Sequence, residues 1–141
     1  MMDKDRILRR LTDLERYSSV LKGIAPNSYE NYKASDIKTK AAVERYLQLI
    51  SDIELEVMVL LYKAMDLGIA GDEEPLLNKF SGMLSRDAVE GFRKRRALRN
   101  ILVHAYSDMH YDKETFEMAN QLGDVASFIR GTKTLLRKRA S

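Results

Sequence analysis

Between residues 96 and 106 the chain reads Arg96-Ala97-Leu98-Arg99-Asn100-Ile101-Leu102-Val103-His104-Ala105-Tyr106. From Arg99 on, a guanidinium, an amide, an imidazole and a phenol fall within about two helical turns. An imidazole titrates at a pKa of about 6.5 and can give or take a proton near neutral pH. A guanidinium stays charged and can hold two phosphate oxygens at once. Asn100 can orient the imidazole or donate to a phosphate without titrating. These are the groups needed when a ribose 2′-hydroxyl attacks its own phosphodiester: a base, an acid for the leaving 5′-oxygen, and cations for the charge building on the phosphoryl oxygens. A lone helical histidine is ordinarily structural. It is the company of Arg99, Asn100 and Tyr106 that marks His104 as a candidate catalytic residue.

Spacing adds a constraint. Asn100 and His104 are four residues apart and share a helix face, while Arg99 and Tyr106, seven apart, share another. Arg99 and His104 lie about 140° apart on an ideal helix, being five residues at about 100° each. The reach of arginine, a helix end near His104, or a second protomer would let both touch one phosphate. The chain holds only two histidines, His104 and His110, and the latter reads as an exposed loop residue. If acid and base are both imidazoles, a two-fold dimer that brings two His104 side chains into one cleft supplies them.

The segments around this string read as helices. Asp3 to Lys22 carries Ile7, Leu11, Leu14, Val20 and Leu21 at helical spacing, and residues 23–35 read as a loop with at most one short turn. From Asp36 to Leu67, Tyr46, Ile50, Ile53, Val57, Leu60, Ala64 and Leu67 form a heptad-like seam, widened by Val43, Leu47 and Leu61. Gly68 to Glu74 reads as a loop, and Pro75 suits the first turn of a short helix ending near Gly82. Ser85 is placed to cap the motif helix, with Asp87 in its first turn. That helix has an odd pattern: Val89 and Phe92 lie on one side, Leu98, Ile101, Leu102 and Ala105 nearly opposite. Either it breaks near Arg93–Arg96, or its second half is covered from another direction, as by a dimer partner. Asp112 is placed to cap one last helix along Phe116, Ala119, Leu122, Ala126, Ile129 and Leu136. No stretch alternates with period two. The expected fold is all-α, an up-and-down bundle of four to five helices in a single domain over residues 1–141, dimeric through the motif helix.

Composition sets bounds. With 45% hydrophobic and 32% charged residues and no cysteine, the chain reads as an ordinary globular domain without disulfides or thiolate metal sites. No apolar run is long enough to span a bilayer, and Met-Met-Asp-Lys-Asp-Arg does not open a signal peptide, so a cytoplasmic location without membrane contact is expected. The net charge of +3 and pI near 9.1 are only mildly basic. Still, Arg93, Lys94, Arg95 and Arg96 crowd the approach to the motif and are candidate RNA-phosphate contacts, against the plain alternative of a solvated helix face. Asp52 and Glu56 form an i,i+4 carboxylate pair, but no histidine or cysteine stands at matching spacing, so no metal site and no cofactor are expected.

Arg99-Asn100-x-Leu102-Val103-His104-x-Tyr106 resembles the Arg-x4–6-His signature of the HEPN superfamily, and most nearly its HepT-like ribonuclease toxins of the MntA–HepT type. The resemblance spans roughly residues 38–134. It takes in Ala42-Val43-Glu44-Arg45-Tyr46-Leu47-Gln48, Ser51-Asp52-Ile53, Met83-Leu84-Ser85, Val89 and Phe92, and reaches the first helix only as pattern. Ala105 stands where the family very often has glycine. The resemblance implies a homodimer with its cleft at the interface, cutting RNA without a metal ion. Arg99 and His104 would be catalytic, with Asn100 supporting and Asp52 serving as a buried acidic support for the arginine or the histidine. It further implies the toxin of a type VII toxin–antitoxin pair, neutralised when a cognate minimal nucleotidyltransferase adds AMP to Tyr106. Two other readings stay open: a non-catalytic RNA- or nucleotide-binding partner subunit of a nucleotidyltransferase, and a structural bundle whose motif only knits a dimer.

Overall fold

The computed structural model describes residues 2–68, 71–104 and 111–140; Tyr106 and His110 lie outside them. Among the described residues there are seven helices and no strand: α1 Met2–Ile24, α2 Tyr29–Lys33, α3 Ile37–Ala64, α4 Glu73–Phe80, α5 Arg86–His104, α6 Asp112–Ala119 and α7 Gly123–Ala140. The four long ones, α1, α3, α5 and α7, pack as a closed ring, α1 on α3, α3 on α5, α5 on α7 and α7 back on α1. The all-α bundle expected from periodicity is therefore present, with three short helices added at its joints. Among the described residues, no helix is long and apolar enough to cross a membrane.

Local sequence explains the boundaries. Asp36 caps α3 by accepting the Thr39 amide at 2.8 Å, and Ser85 caps α5 by accepting the Ala88 amide at 3.2 Å, each satisfying one otherwise orphaned donor. Past Ala64, Asp66 and Gly68 adopt φ of 57° and 106°, a left-handed turn that aspartate tolerates and glycine favours. Leu67, placed in the helical seam by spacing, therefore falls after α3. The segment from Asp112 is two helices rather than one: α6 ends at Ala119, Asn120 turns back on it, and α7 starts at Gly123. The apolar spacing runs on through the joint because Ala119 and Leu122 are both buried, so periodicity alone does not reveal the break.

The motif helix does not break at Arg93–Arg96 either. Its buried residues are Ala88, Val89, Gly91, Phe92, Arg95 and Leu98, one drifting stripe. The apparent change of face arises because the centre of that stripe is an arginine. Arg95 is 1% exposed and makes a bidentate pair with the fully buried Glu54 of α3, Nε to Oε1 at 2.8 Å and NH2 to Oε2 at 2.9 Å. Its NH1 donates to Asp124 of α7 at 3.1 and 3.3 Å. Burial pushes the Glu54 carboxyl above its ordinary value, a pull that Arg95 opposes. Burial works against the charge on Arg95 too, but Glu54 and Asp124 more than offset it and hold the guanidinium above its ordinary value. A fork-shaped cation between two carboxylates stays charged, so the cluster is a buried ionic knot joining three of the four ring helices.

Gly91 belongs to the same knot. A Cβ there would lie 1.6 Å from Asp124 Oδ2 and 2.3 Å from its Cγ, so only glycine lets the α7 carboxylate reach Arg95. Glu54→Ala should lower stability by about 3–5 kcal/mol, because it strands a buried cation. Replacing the pair together, Glu54→Leu with Arg95→Met, should recover most of that loss. Gly91→Ala should destabilise by displacing Asp124. Urea denaturation of the three variants checks all of this, and a Gly91→Ala protein as stable as the parent would count against the arrangement.

Candidate active site

The knot fixes the rotation of α5, and that rotation sets where the rest of the basic run points. Arg96, mostly buried, follows Arg95 onto the α3 side. Its NH1 donates to Asp52 Oδ1 at 2.7 Å and to Ser51 Oγ at 3.4 Å, and its Nε to Glu73 Oε1 of α4 at 3.0 Å. Burial works against the charge on Arg96, and the bonds to Asp52 and Glu73 outweigh it, leaving its pKa raised. Arg99, three residues further on, donates Nε to the same Asp52 oxygen at 2.9 Å. One carboxylate oxygen thus serves two guanidiniums, with Arg96 held on its far side by α4.

Arg99 is 25% exposed. Its NH1 reaches Asn100 Oδ1 at 3.4 Å, a long contact, and among the described residues no other side chain takes its remaining N–H groups. A guanidinium tethered through Nε with its outer edge open is preorganised to take an anion bidentately. Asp52, expected as a buried acidic support for the arginine or the histidine, is 40% exposed and holds Arg99 at the surface. Asn100 is exposed beside Arg99. His104 is the last described residue of α5, so the helix is continuous from Arg99 and the two positions stand about 140° apart around its axis.

The basic run separates into four environments. Arg93 is tied to Glu90 at 2.7 Å and to Glu74 at 3.3 Å. Lys94 is exposed. Arg95 is in the core and has no surface to offer RNA, which removes it from the phosphate contacts expected of it. Arg96 is engaged on its carboxylates. Of the four residues expected at RNA, Lys94 is the one presented without an ion pair among the described residues. Glu73 and Glu74, expected in a solvated loop, open α4 and hold Arg96 and Arg93.

Spacing could have found two of the unanticipated residues. Glu54 stands in the seam 47-50-54-57-61, and Arg95 in the seam 88-92-95, each a charge at a core register. An acid and a base so placed on two helices of one bundle are a signal of a buried pair. Among the described residues no group of three or more histidine, cysteine, aspartate or glutamate side chains converges where a metal could sit.

The fold and this arginine-bearing helix define a HEPN-type domain. The sequence profile of the family described as Ribonuclease HepT-like matches residues 7–131, and the chain belongs to that family. The match begins within α1, further toward the N-terminus than the motif-based resemblance reaches. The tri-AMPylated Shewanella oneidensis HEPN toxin in complex with MNT antitoxin has the same fold, with a TM-score of 0.77 at 18% identity over 91% of this chain and 96% of that one. No curated protein matches.

Asp52→Ala should release Arg99 while Arg96 keeps Glu73. In 15N spectra of the arginine Nε–H groups, the Arg99 signal should lose its protection from exchange and that of Arg96 keep it. The accompanying loss of stability should stay near ~1 kcal/mol, as for other partly exposed pairs.

Proposed function

We propose that this chain is a metal-independent endoribonuclease and the toxin of a toxin–antitoxin pair. The observation that carries the reading is Arg99, tethered by Asp52 with its outer edge unpaired among the described residues, five residues before His104 on an unbroken helix in a HepT-like ribonuclease chain. In this mechanism Arg99 holds the non-bridging oxygens of the scissile phosphate and neutralises the charge that develops on them. The His104 imidazole accepts the 2′-hydroxyl proton, the 2′-oxygen bonds to phosphorus, and the bond to the 5′-oxygen breaks. That oxygen takes its proton from a second imidazole, leaving a 2′,3′-cyclic phosphate.

The second imidazole is His104 of another copy of the chain, which makes the active species a two-fold homodimer through α5. Supporting this, Ala97, Leu98 and Ile101 of α5 line an apolar groove of about 280 Å³ with Tyr111 and Met118, edged by Lys94, Glu114 and Glu117. A surface with both charge signs at its rim can complement its own copy. Sedimentation should give a dimer at micromolar concentration, and a monomer there would remove the two-imidazole cleft.

Control is proposed to come from a nucleotidyltransferase antitoxin that adds AMP to Tyr106, in keeping with the modified state of the Shewanella toxin. A phosphate two residues beyond His104 would compete for Arg99 and repel RNA. His104→Ala and Arg99→Ala should each lower RNA cleavage at least ~100-fold with helicity and dimerisation intact, and EDTA should leave the rate unchanged. Tyr106→Phe should stay active and escape control by the antitoxin, with mass spectrometry finding AMP on Tyr106 only in the parent. Full cleavage by the His104→Ala protein would instead favour the non-catalytic RNA-binding reading.

A further inference from the structure

The first turns of α1 carry a second cationic feature, away from the motif helix. Arg6, Arg9, Arg10 and Asp13 line a cleft of about 260 Å³, the arginines three and four residues apart and so on one face. They are not equally engaged. Arg10 is held by Glu56 of α3 and by Asp13 at 3.1 Å. Asp13 also takes Arg16 at 3.3 Å. Arg6 is 56% exposed and approaches Glu56 only to 3.9 Å. Arg9 is exposed, with no carboxylate in ion-pair reach among the described residues. Glu56 and Asp13 thus serve Arg10 and Arg16 closely and Arg6 at a distance, and the least compensated charge sits on Arg6 and Arg9.

The location gives this surplus a meaning. Glu56 stands one turn beyond Asp52 on α3, about 6 Å along the helix axis. Asp52 turns to Arg99 on α5 and Glu56 to Arg10 on α1, so the two arginine groups flank one edge of α3. We propose that the α1 cleft binds a backbone phosphate of the same RNA strand whose scissile phosphate Arg99 holds; this rests on the ribonuclease reading above. Planar guanidiniums suit phosphate oxygens. The lining of arginine and aspartate alone favours an anion over an apolar group. Such a contact would position the strand without reading its bases.

The test uses the full chain carrying His104→Ala, so that RNA binds without turnover, and a labelled single-stranded RNA titrated across a salt series. Adding Arg6→Gln and Arg9→Gln, with Arg10 kept for its bond to Glu56, should weaken binding about tenfold at low salt. The slope of log affinity against log salt should shrink by about 0.7 for each phosphate that is no longer neutralised. Arg9→Glu alone should act in the same direction, and thermal melts should match the parent. Unchanged affinity and slope in both variants would overturn the proposal. Retained RNA binding with abolished antitoxin binding would overturn it as well and assign the cleft to a protein partner. If the chain with His104 intact binds RNA through the cleft yet cuts none, the ribonuclease reading fails while the RNA contact at α1 remains.

Discussion

In the Glu54–Arg95–Asp124 knot a charged fork between two carboxylates fixes how α5 is turned in the bundle. A helix in a bundle core can usually rotate by a fraction of a turn if apolar side chains repack, because apolar contacts are tolerant of direction. A buried guanidinium with two carboxylate partners is not. Its N–H groups must meet oxygens at hydrogen-bond distance, and any rotation of α5 would strand charge in the core. The knot draws on α3, α5 and α7 at once, and Gly91 is the backbone concession that lets α7 come close enough. Arg96 and Arg99 follow one and four residues later on the same rigid helix, so their placement over Asp52 is inherited from Arg95.

Helix α3 distributes the acids that make this work. Asp52 and Glu56, four residues apart, share one face of the helix, and Glu54, midway between them in sequence, points to the other side. Glu54 goes inward to Arg95. Asp52 sits at the α5 edge and holds Arg96 and Arg99, and Glu56 sits at the α1 edge and holds Arg10. Three carboxylates on one helix thus orient arginines on two neighbours, and none of the three is spare. The short helix α4 adds Glu73 and Glu74 from the far side, so the basic face of α5 is held between two acidic ones.

Much of this is legible in the sequence. The helical spacing of Ile7, Leu11 and Leu14, the seam through Ile50 and Val57, and the caps Asp36 and Ser85 sit where pattern places them, because burial and capping are local rules. The motif is legible as residue types at a spacing, and Asp52 as an acid near it, though at the surface rather than buried. What misleads is the equation of charge with surface. Reading Arg95 as solvent-facing splits one buried stripe into two apolar faces and suggests a break that α5 does not have. It also makes Glu73 and Glu74 look like loop residues, since their partners lie 23 and 19 positions away in the chain. The joint between α6 and α7 is hidden for the opposite reason: two buried residues on either side of a turn can keep helical spacing.

The same pairing decides where a modest net charge is left exposed. Five basic residues stand between 93 and 99, but Arg93, Arg95 and Arg96 are matched by carboxylates at close range, so they contribute little field beyond the surface. What remains is the outer edge of Arg99, the ammonium of Lys94 and, across α3, the guanidiniums of Arg6 and Arg9. Positive charge is thereby neutralised over most of the basic face and left at a few points, of which Arg99 is fixed by its hydrogen bond to Asp52. A chain read only by its +3 total gives no sign of this. The neutralised arginines are what give the free ones their geometry: Arg96 steadies the carboxylate that steadies Arg99, and Arg10 occupies the acids that would otherwise quench Arg6 and Arg9.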